Sequence, residues 1–229
     1  MKSTYDSLED IIVFDDVISL AYQDWLLKKV DSPSFNWRRA DQAVNTSAKF
    51  SGDTRNGFMN TCPIFVGNFN LITFEEESRE NNFHHPDGLL NCFFPLLLEF
   101  AEPLGVKYLK RMRINAIPAM GNNDIRFPHV DYIRPNFWNV IYYFNDTDGD
   151  TVIYNERSNS VDQHDFLLSK DVWTIKQRVS PKKGRAVAFK GDLMHSASCP
   201  KYKPRFILNI NLSENYEEEV SQNFIKYNG

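Results

Sequence analysis

The sequence predicts a mainly β (α+β) fold, a jelly roll or barrel preceded by packing helices. Three observations support this prediction. Short apolar segments separated by turn residues follow one another through the second half of the chain, and apolar residues recur at helical spacing only in two earlier segments. Aromatic residues make up 14% of the 229 residues, which is typical of strand-rich packing. Many short, evenly spaced strands characterise sandwiches and barrels.

Residues 1–105 are expected to form a helical and extended support. A strand is predicted at 11–14, followed by a helix that Asp15 or Asp16 would cap and that ends near Val30. A second helix should begin near Leu89 or at Pro95 and end around 105, because an interior proline restarts a helix. Its predicted buried face comprises Leu89, Leu90, Phe93, Phe94, Leu97, Leu98 and Ala101. Between 31 and 88 only 35–38 and 64–74 look partly extended.

Eight strands are then predicted, at 108–117, 128–132, 138–145, 151–155, 173–179, 185–189, 193–198 and 205–212. They define a core at 106–213, followed by a tail at 214–229. Residues 1–229 are expected to form a single domain, since all-β domains of this length are commonly undivided.

The acidic turn at 146–150 allows two interpretations. Its alternating aspartates suggest a calcium loop, but Thr151 and Arg157 stand where that motif has glycine and glutamate. Asp148 and Gly149 instead favour a hairpin turn between 140–144 and 151–154, because both residues accept positive φ. We therefore prefer the hairpin.

Composition excludes several classes of protein. A net charge of −4 gives no electrostatic footprint for nucleic acid, so that partner is not expected. The three cysteines, Cys62, Cys92 and Cys199, are too few and too widely spaced for a disulfide framework or a zinc knuckle, which favours reduced thiols. The N-terminus lacks an apolar signal core and no apolar run reaches membrane-spanning length. We expect a soluble, cytoplasmic protein without a membrane partner.

His129 and Asp131 carry the chemistry. They stand two residues apart in the predicted strand 128–132, so their side chains should project from one face. His195, which follows a Gly-Asp turn, is the candidate third ligand. Two neutral imidazoles and one carboxylate form the facial triad of non-haem Fe(II) oxygenases, which leaves coordination positions open. A second His-x-Asp, at 85–87, is better explained as a turn or a helix cap.

Arg205 follows His195 by ten residues. Fe(II) bound by such a triad keeps one positive charge, so a dianionic 2-oxo acid can chelate it and leave a far carboxylate to be paired. A guanidinium forms a planar, two-pronged pair with a carboxylate. If the Arg205 strand neighbours the His195 strand, both residues point into one cavity. The period of two places Ile207, Asn209 and Asn211 on the same face, and buried asparagines indicate polar ligand atoms or water.

The spacing of His129, Asp131, His195 and Arg205 resembles the iron(II)- and 2-oxoglutarate-dependent dioxygenase superfamily. The segments NVIYYFND (139–146), GDT (149–151), PKKGRAVAF (181–189) and GDLMHSAS (191–198) are similar to its prolyl 4-hydroxylase-like branch, including phage-encoded members. The resemblance covers about residues 112–212.

The resemblance implies a double-stranded β-helix in which His129, Asp131 and His195 bind iron and Arg205 binds 2-oxoglutarate. It also implies that the Tyr143 hydroxyl assists the distal carboxylate. Asn115 would replace, through an amide hydrogen bond, a tyrosine that the family often places on the first barrel strand, and Asn209 is a further candidate contact. The cofactors implied are Fe(II), 2-oxoglutarate and O2, with ascorbate as an accessory.

The implied reaction hydroxylates an unactivated C–H bond and releases succinate and CO2. Asp131 favours hydroxylation over halogenation, because related halogenases vacate that position for chloride. A peptide carrying proline is the first substrate class, and a small molecule or nucleobase is the alternative. A non-catalytic jelly-roll or virion-associated module is a third class, against which the complete triad argues. Residues 120–124 are expected to contribute to a substrate lid, and a phage-encoded form would act in the host cytoplasm.

Overall fold

The structure, a computed structural model, describes residues 8–35, 37–40, 58–59, 64–69, 72–73, 92–132, 136–160, 163, 166–167 and 173–214. Within these ranges the elements before residue 105 are β1 (Ile11–Phe14), α1 (Leu20–Val30), β2 (Arg38–Ala40), β3 (Phe58–Met59), β4 (Ile64–Phe69), β5 (Ile72–Thr73) and α2 (Phe94–Leu104). The later elements are β6 (Tyr108–Ile117), β7 (Ile125–Arg126), β8 (Phe137–Tyr143), β9 (Thr151–Arg157), β10 (Ile175–Val179), β11 (Ala186–Lys190), β12 (Leu193–Ala197) and β13 (Arg205–Ser213).

The strands form two principal sheets. The larger has the order β1-β11-β8-β13-β6-β4-β2, with β5 also paired to β6, and the smaller has the order β10-β9-β12. Strands β3 and β7 form a short parallel pair. One apolar cluster contains Ile141, Val187 and Ile207 from the larger sheet together with Ile153 and Leu193 from the smaller. The sheets therefore pack face to face, as the predicted jelly roll requires.

Alternation along β8 explains how the larger sheet is covered on both faces. Trp138, Val140 and Tyr142 belong to the cluster that includes the helices, whereas Ile141 and Tyr143 belong to the cluster between the sheets. Successive side chains of a strand point to opposite faces, so β8 is buried along its whole length. The predicted packing helices thus cover the outer face, and the inner face is left for the site.

Both helices differ in detail from the sequence prediction. Helix α1 begins at Leu20, with Ser19 at the N-cap, while Asp15 pairs with Arg185 and Asp16 has a φ of 52°. Helix α2 has Pro95 in its first turn, where a proline needs no amide donor, and ends at Gly105 with a φ of 62°. Its buried face is formed by Leu96, Leu97, Phe100 and Leu104.

The predicted face of α2 was partly wrong. Phe94 and Leu98 are exposed. Because the helix begins only at Phe94, the periodicity counted from Leu89 was out of phase with the face that packs on the sheet. The predictions for Leu89, Leu90, Cys62, residues 85–87 and most of the tail lie outside the described residues. Cys92 is half-buried, Cys199 is buried, and neither takes part in a disulfide bond within the described residues.

The hairpin predicted at Asp148 and Gly149 is wrong. Strand β8 lies in the larger sheet and β9 in the smaller, so the turn carries the chain from one sheet to the other. Neither residue has positive φ. Gly149 is needed for a different reason: a Cβ there would lie 2.9 Å from the Ser198 carbonyl oxygen. The Asp148 carboxylate accepts hydrogen bonds from the main-chain N–H groups of Lys201 and Tyr202.

Seven of the eight strands predicted after residue 105 are present with ends shifted by at most two residues. The exception is 128–132, where only His129 takes part in a β-bridge and Asp131 lies in a bend. Among the described residues, no helix has the combination of length and apolar character needed to cross a membrane.

Candidate metal centre

Three side chains suited to metal binding converge between the two sheets. The ligand atoms of His129, Asp131 and His195 all lie within 4.8 Å of one another. The Nε2 atoms of His129 and His195 are 3.7 Å and 4.0 Å from Oδ1 of Asp131. The two imidazole rings are 4.4 Å apart between centroids. The structure therefore brings together the three residues that the sequence singled out.

Main-chain hydrogen bonds fix the two imidazoles. The N–H of His129 donates to the His195 carbonyl at 2.9 Å, and the N–H of His195 donates to the His129 carbonyl at 2.8 Å. His195 also pairs with Ile153 of β9, after a register shift that follows Leu193. Bulges of this kind re-aim side chains next to functional sites. The paired backbone holds both rings on one side of the smaller sheet.

The tautomer of His195 follows from its surroundings. Its Nδ1 lies 3.3 Å from the main-chain oxygen of Leu193, which can only accept a hydrogen bond. A proton on Nδ1 leaves the lone pair of Nε2 directed towards Asp131. This is the protonation state that a metal ligand needs.

Asp131 is held in a different way. It lies outside every strand, and its carboxylate is bound by side chains of the larger sheet. Oδ2 accepts hydrogen bonds from Nδ2 of Asn209 at 3.0 Å and Nδ2 of Asn211 at 2.9 Å. Nη2 of Arg111 lies 3.2 Å from Oδ1. The predicted strand face thus does not position this ligand; β6 and β13 do.

Burial and charge set the protonation of the three groups. Burial lowers the pKa of His129 to about 3, with a further contribution from His195. Burial also lowers the pKa of His195. For Asp131 burial acts in the opposite direction, but Arg111, the two imidazoles and the Asn211 hydrogen bond hold its pKa well below the usual range. Near neutral pH the site contains two neutral imidazoles and one carboxylate, which fit Fe(II) as a donor set.

Arg205 lies at the start of β13 and is buried. Its Nη2 donates to Oγ1 of Thr151 at 2.6 Å, and its guanidinium lies over the Tyr143 ring, 5.5 Å from the centroid. Tyr143 also donates to Thr151 Oγ1, at 2.6 Å. Nε and Nη1 of Arg205 have no hydrogen-bond partner within the described part of the chain. Two buried donors of one planar group without acceptors fit the far carboxylate of a 2-oxo acid.

The Arg205 strand is not a neighbour of the His195 strand. Strand β13 runs between β6 and β8 in the larger sheet, and β12 lies in the smaller. The two residues therefore belong to different sheets. Four residues separate Arg205 from Asn209, which places their Cα atoms about 13 Å apart along an extended strand. An arginine side chain and a five-carbon dicarboxylate can together bridge this distance.

Asn115 and Asn209 have different surroundings. Asn115 is opposite Ile207 in the β6–β13 pair, between the levels of Arg205 and Asn209. Its Oδ1 has no hydrogen-bond partner among the residues described. Asn209 donates a hydrogen bond from Nδ2 to the Asp131 carboxylate, and its Oδ1 has no hydrogen-bond partner in the described part of the chain.

Sequence reasoning missed Thr151, Arg111 and Asn139. Thr151 lies in the GDT segment and was predicted only as the first residue of the strand 151–155. Arg111 faces Asn211 across the β6–β13 pair, and Asn139 faces Asn211 across the β8–β13 pair. Polar residues alternating with apolar ones on three separate strands were the available signal, but no local pattern tells which strands are adjacent.

The segment proposed as a lid is fastened at both ends. The Met120 N–H donates to the Pro200 carbonyl at 2.8 Å, and the Cys199 N–H donates to the Asp124 carbonyl at 2.8 Å. An opening motion of residues 120–124 would have to break these hydrogen bonds.

Comparisons with known proteins agree with this geometry. The fold has the jelly-roll architecture of 2-oxoglutarate oxygenases, and a family model described as the 2OG-Fe(II) oxygenase superfamily matches residues 116–213. That segment makes up less than half of the chain and contains the triad and Arg205. No curated protein is detectably similar in sequence.

Solved structures share the fold at low identity. A Trichoplax adhaerens prolyl hydroxylase in complex with a hypoxia inducible factor peptide is 14% identical, with a TM-score of 0.54, covering 91% of this chain and 85% of that one. A Burkholderia pseudomallei oxidoreductase of the 2OG-Fe(II) oxygenase family is 14% identical, with a TM-score of 0.55 and coverages of 90% and 86%. A Pseudomonas putida prolyl-4-hydroxylase is 12% identical, with a TM-score of 0.50 and coverages of 91% and 95%.

Proposed function

We propose that this chain is an Fe(II)- and 2-oxoglutarate-dependent dioxygenase that hydroxylates an unactivated C–H bond, with succinate and CO2 as coproducts. The observation that carries the proposal is the presence of two features between the two sheets. The ligand atoms of His129, Asp131 and His195 converge within 4.8 Å, and Arg205, four residues before Asn209 on the same face of β13, keeps two buried donors without acceptors.

The protein residues have separate roles in the proposed reaction. His129, His195 and Asp131 would hold Fe(II), which, with 2-oxoglutarate and O2, supplies the oxidative chemistry. Arg205 would pair with the far carboxylate of the cosubstrate. Thr151 accepts hydrogen bonds from both Arg205 and Tyr143, so its own hydroxyl hydrogen remains to be donated to that carboxylate.

Tyr143 stabilises Arg205 and Thr151 in these positions. Burial raises the pKa of its hydroxyl, which therefore stays protonated and acts as a donor near neutral pH. The aromatic ring beneath the guanidinium also stabilises the buried positive charge. Asn115 is proposed as a further cosubstrate contact from β6. Asn209, whose donor is bound to Asp131, is proposed to act on the metal side of the cavity.

The proposed substrate is a peptide carrying proline. Prolyl hydroxylases among the structural neighbours, one of them bound to a peptide, support this class, although the likeness at this identity is one of fold. Hydroxylation is preferred to halogenation because Asp131 occupies a ligand position. We also propose a phage-type, prolyl 4-hydroxylase-like enzyme acting in the cytoplasm, with ascorbate as an accessory reductant.

Anaerobic titration with Fe(II) and then 2-oxoglutarate tests the proposal. A weak visible charge-transfer band is expected when the cosubstrate chelates the metal, followed on aeration by succinate release. The matched control is Arg205→Leu, which should keep the metal and need far more 2-oxoglutarate. No band and no succinate from the unaltered chain would favour a non-catalytic module.

A substrate screen then separates the classes. Proline-containing peptides, free amino acids, other small molecules and nucleobases are compared by succinate yield and by a mass increase of one oxygen atom. A mass shift confined to peptides supports the prolyl hydroxylase-like proposal. A shift confined to small molecules or nucleobases would keep the chemistry and change the substrate.

A further inference from the structure

We infer that Asn209, Asn211 and Arg111 are positioning residues that make Asp131 present a single oxygen, Oδ1, to the metal. The inference rests on the proposed metal site. These three residues, termed the carboxylate cradle, lie on β6 and β13 and contact Asp131 through side chains alone. Main-chain hydrogen bonds between strands do not position Asp131, because this residue lies in a bend outside the strands.

The two oxygens of Asp131 have unlike surroundings. Oδ2 accepts amide hydrogen bonds from both asparagines, at 3.0 Å and 2.9 Å, which engages its lone pairs. Oδ1 lies 3.7 Å and 4.0 Å from the Nε2 atoms of His129 and His195, and 3.2 Å from Nη2 of Arg111. The two asparagines therefore hold Oδ2 against the sheet, and Oδ1 is left between the imidazoles and the Arg111 guanidinium.

The Asn211 amide of the cradle is itself oriented by hydrogen bonds. Nε of Arg111 donates to Oδ1 of Asn211 at 3.0 Å, so the Asn211 amide must direct its nitrogen towards Asp131. The second hydrogen of that nitrogen is donated to Oδ1 of Asn139. Asn211 is fully buried, and all of its hydrogen-bonding groups are used. A reversed amide would leave a buried donor facing a donor, which costs free energy.

Asn209 has one unsatisfied atom. Its Oδ1 is buried and has no hydrogen-bond partner among the described residues, while its Nδ2 is bound to Asp131. An amide oxygen repels carboxylates, so this atom does not suit 2-oxoglutarate. It suits a hydrogen-bond donor beside the metal, such as a water molecule.

Co(II) binding in the absence of 2-oxoglutarate tests the inference. Asn209→Leu and Asn211→Leu keep side-chain volume and remove the donors. Each is expected to weaken Co(II) binding by about 10-fold to 100-fold, the usual effect of removing a residue that orients a metal ligand. The visible absorption bands of bound Co(II) should also change, because a freed Oδ2 alters the coordination of the ion.

Asn145→Ala is the matched control. Its amide group also binds β13, through the Phe206 N–H at 3.0 Å and the Pro204 carbonyl at 2.8 Å, but it does not touch Asp131. This variant should lose stability and keep both Co(II) affinity and spectrum. Thermal unfolding without metal shows which variants fold, and if Asn211→Leu does not, Asn209→Leu decides.

The outcomes are distinguishable. Weaker binding with an altered spectrum in the cradle variants, but not in Asn145→Ala, supports the inference. Unchanged affinity and spectrum in a folded Asn209→Leu protein overturn the inference and leave the proposed function standing. A wild-type chain that does not bind Co(II) overturns both.

Discussion

The four main residues of the candidate site fall into two groups, whose positions are fixed by different kinds of contact. His129 and His195 are fixed by a reciprocal main-chain bridge, which no side-chain substitution removes. Asp131 and Arg205 depend on the side chains of other strands: the cradle for the former, Thr151 and Tyr143 for the latter. We therefore expect substitutions of neighbouring side chains to leave the positions of the two imidazoles unchanged. The same kind of substitution should displace the Asp131 carboxylate or the Arg205 guanidinium.

The most severe test removes the ligands themselves. His129→Ala, Asp131→Ala and His195→Ala should each weaken Fe(II) binding by more than about 100-fold, beyond the effect of losing a supporting residue. Anaerobic equilibrium dialysis measures the affinity and succinate release measures turnover. Unchanged binding in all three variants would mean that neither group is part of a metal site.

Arg205→Leu examines the side-chain-held half alone. It should raise the 2-oxoglutarate concentration needed for half-maximal turnover by about 30-fold to 5,000-fold, since truncating one partner of a buried charge pair costs about 2–5 kcal/mol. Fe(II) affinity should stay the same, because Arg205 contacts no ligand. An equal loss of metal affinity would show that the two ends of the cavity are not independent.

Thr151→Val tests one contact of Arg205. It removes the hydroxyl group that accepts the Arg205 hydrogen bond and keeps the volume of the side chain. The loss of a buried hydrogen-bond partner should weaken 2-oxoglutarate binding by about tenfold, about 1.4 kcal/mol. Titration calorimetry under anaerobic conditions measures it. Thr147→Val, in the half-buried turn between β8 and β9, is the matched control and should bind the cosubstrate normally.

Asp10 forms ion pairs outside the candidate site, and these are expected to affect stability without affecting metal binding. Its carboxylate lies 2.6 Å from Nη2 of Arg157 and 2.9 Å from Nζ of Lys176. Burial acts to raise the pKa of Asp10, but the hydrogen bonds from Lys176 and Arg157 outweigh it and lower the pKa to about 2. A lowered pKa contributes stability above the unfolded-state value near 3.8, and that stability is lost as the pH falls towards 2.

Asp10→Asn should therefore lower the free energy of unfolding by about 1 kcal/mol at pH 7, after allowance for solvent screening. The difference from wild type should shrink as the pH falls from 4 to 2. Urea unfolding at several pH values measures it. Co(II) affinity at pH 7 should not change, and a pH-independent difference would exclude the ion pairs as its source.

The smallest effect is expected next to His195. Its Nδ1 partner is the main-chain oxygen of Leu193, which any side chain at that position retains. Leu193→Met should cost less than about 1.5 kcal/mol of stability, as volume-conserving core changes do, and should leave Co(II) affinity unchanged. A loss of affinity as large as that of Asn209→Leu would remove the distinction between the two groups.

Much of the fold was predictable because strand periodicity is local. Strand β6 was predicted with its observed ends, and the three side chains that converge in the structure were singled out by residue type and spacing. The crossing at Asp148 was not predictable, because a short polar turn serves equally within one sheet or between two. The face of α2 was misjudged because its first residue depended on where Pro95 begins the helix.

The sequence by itself determined which residues could bind a metal and a dicarboxylate, since that is a matter of donor chemistry and order along the chain. Only the tertiary structure decided how those groups are held. Strands β6, β8 and β13 are distant in the chain, and their adjacency brings Arg111, Asn139 and Asn211 together beside Asp131. Such contacts depend on strand order and register, which arise from the packing of the whole sheet and leave no local pattern.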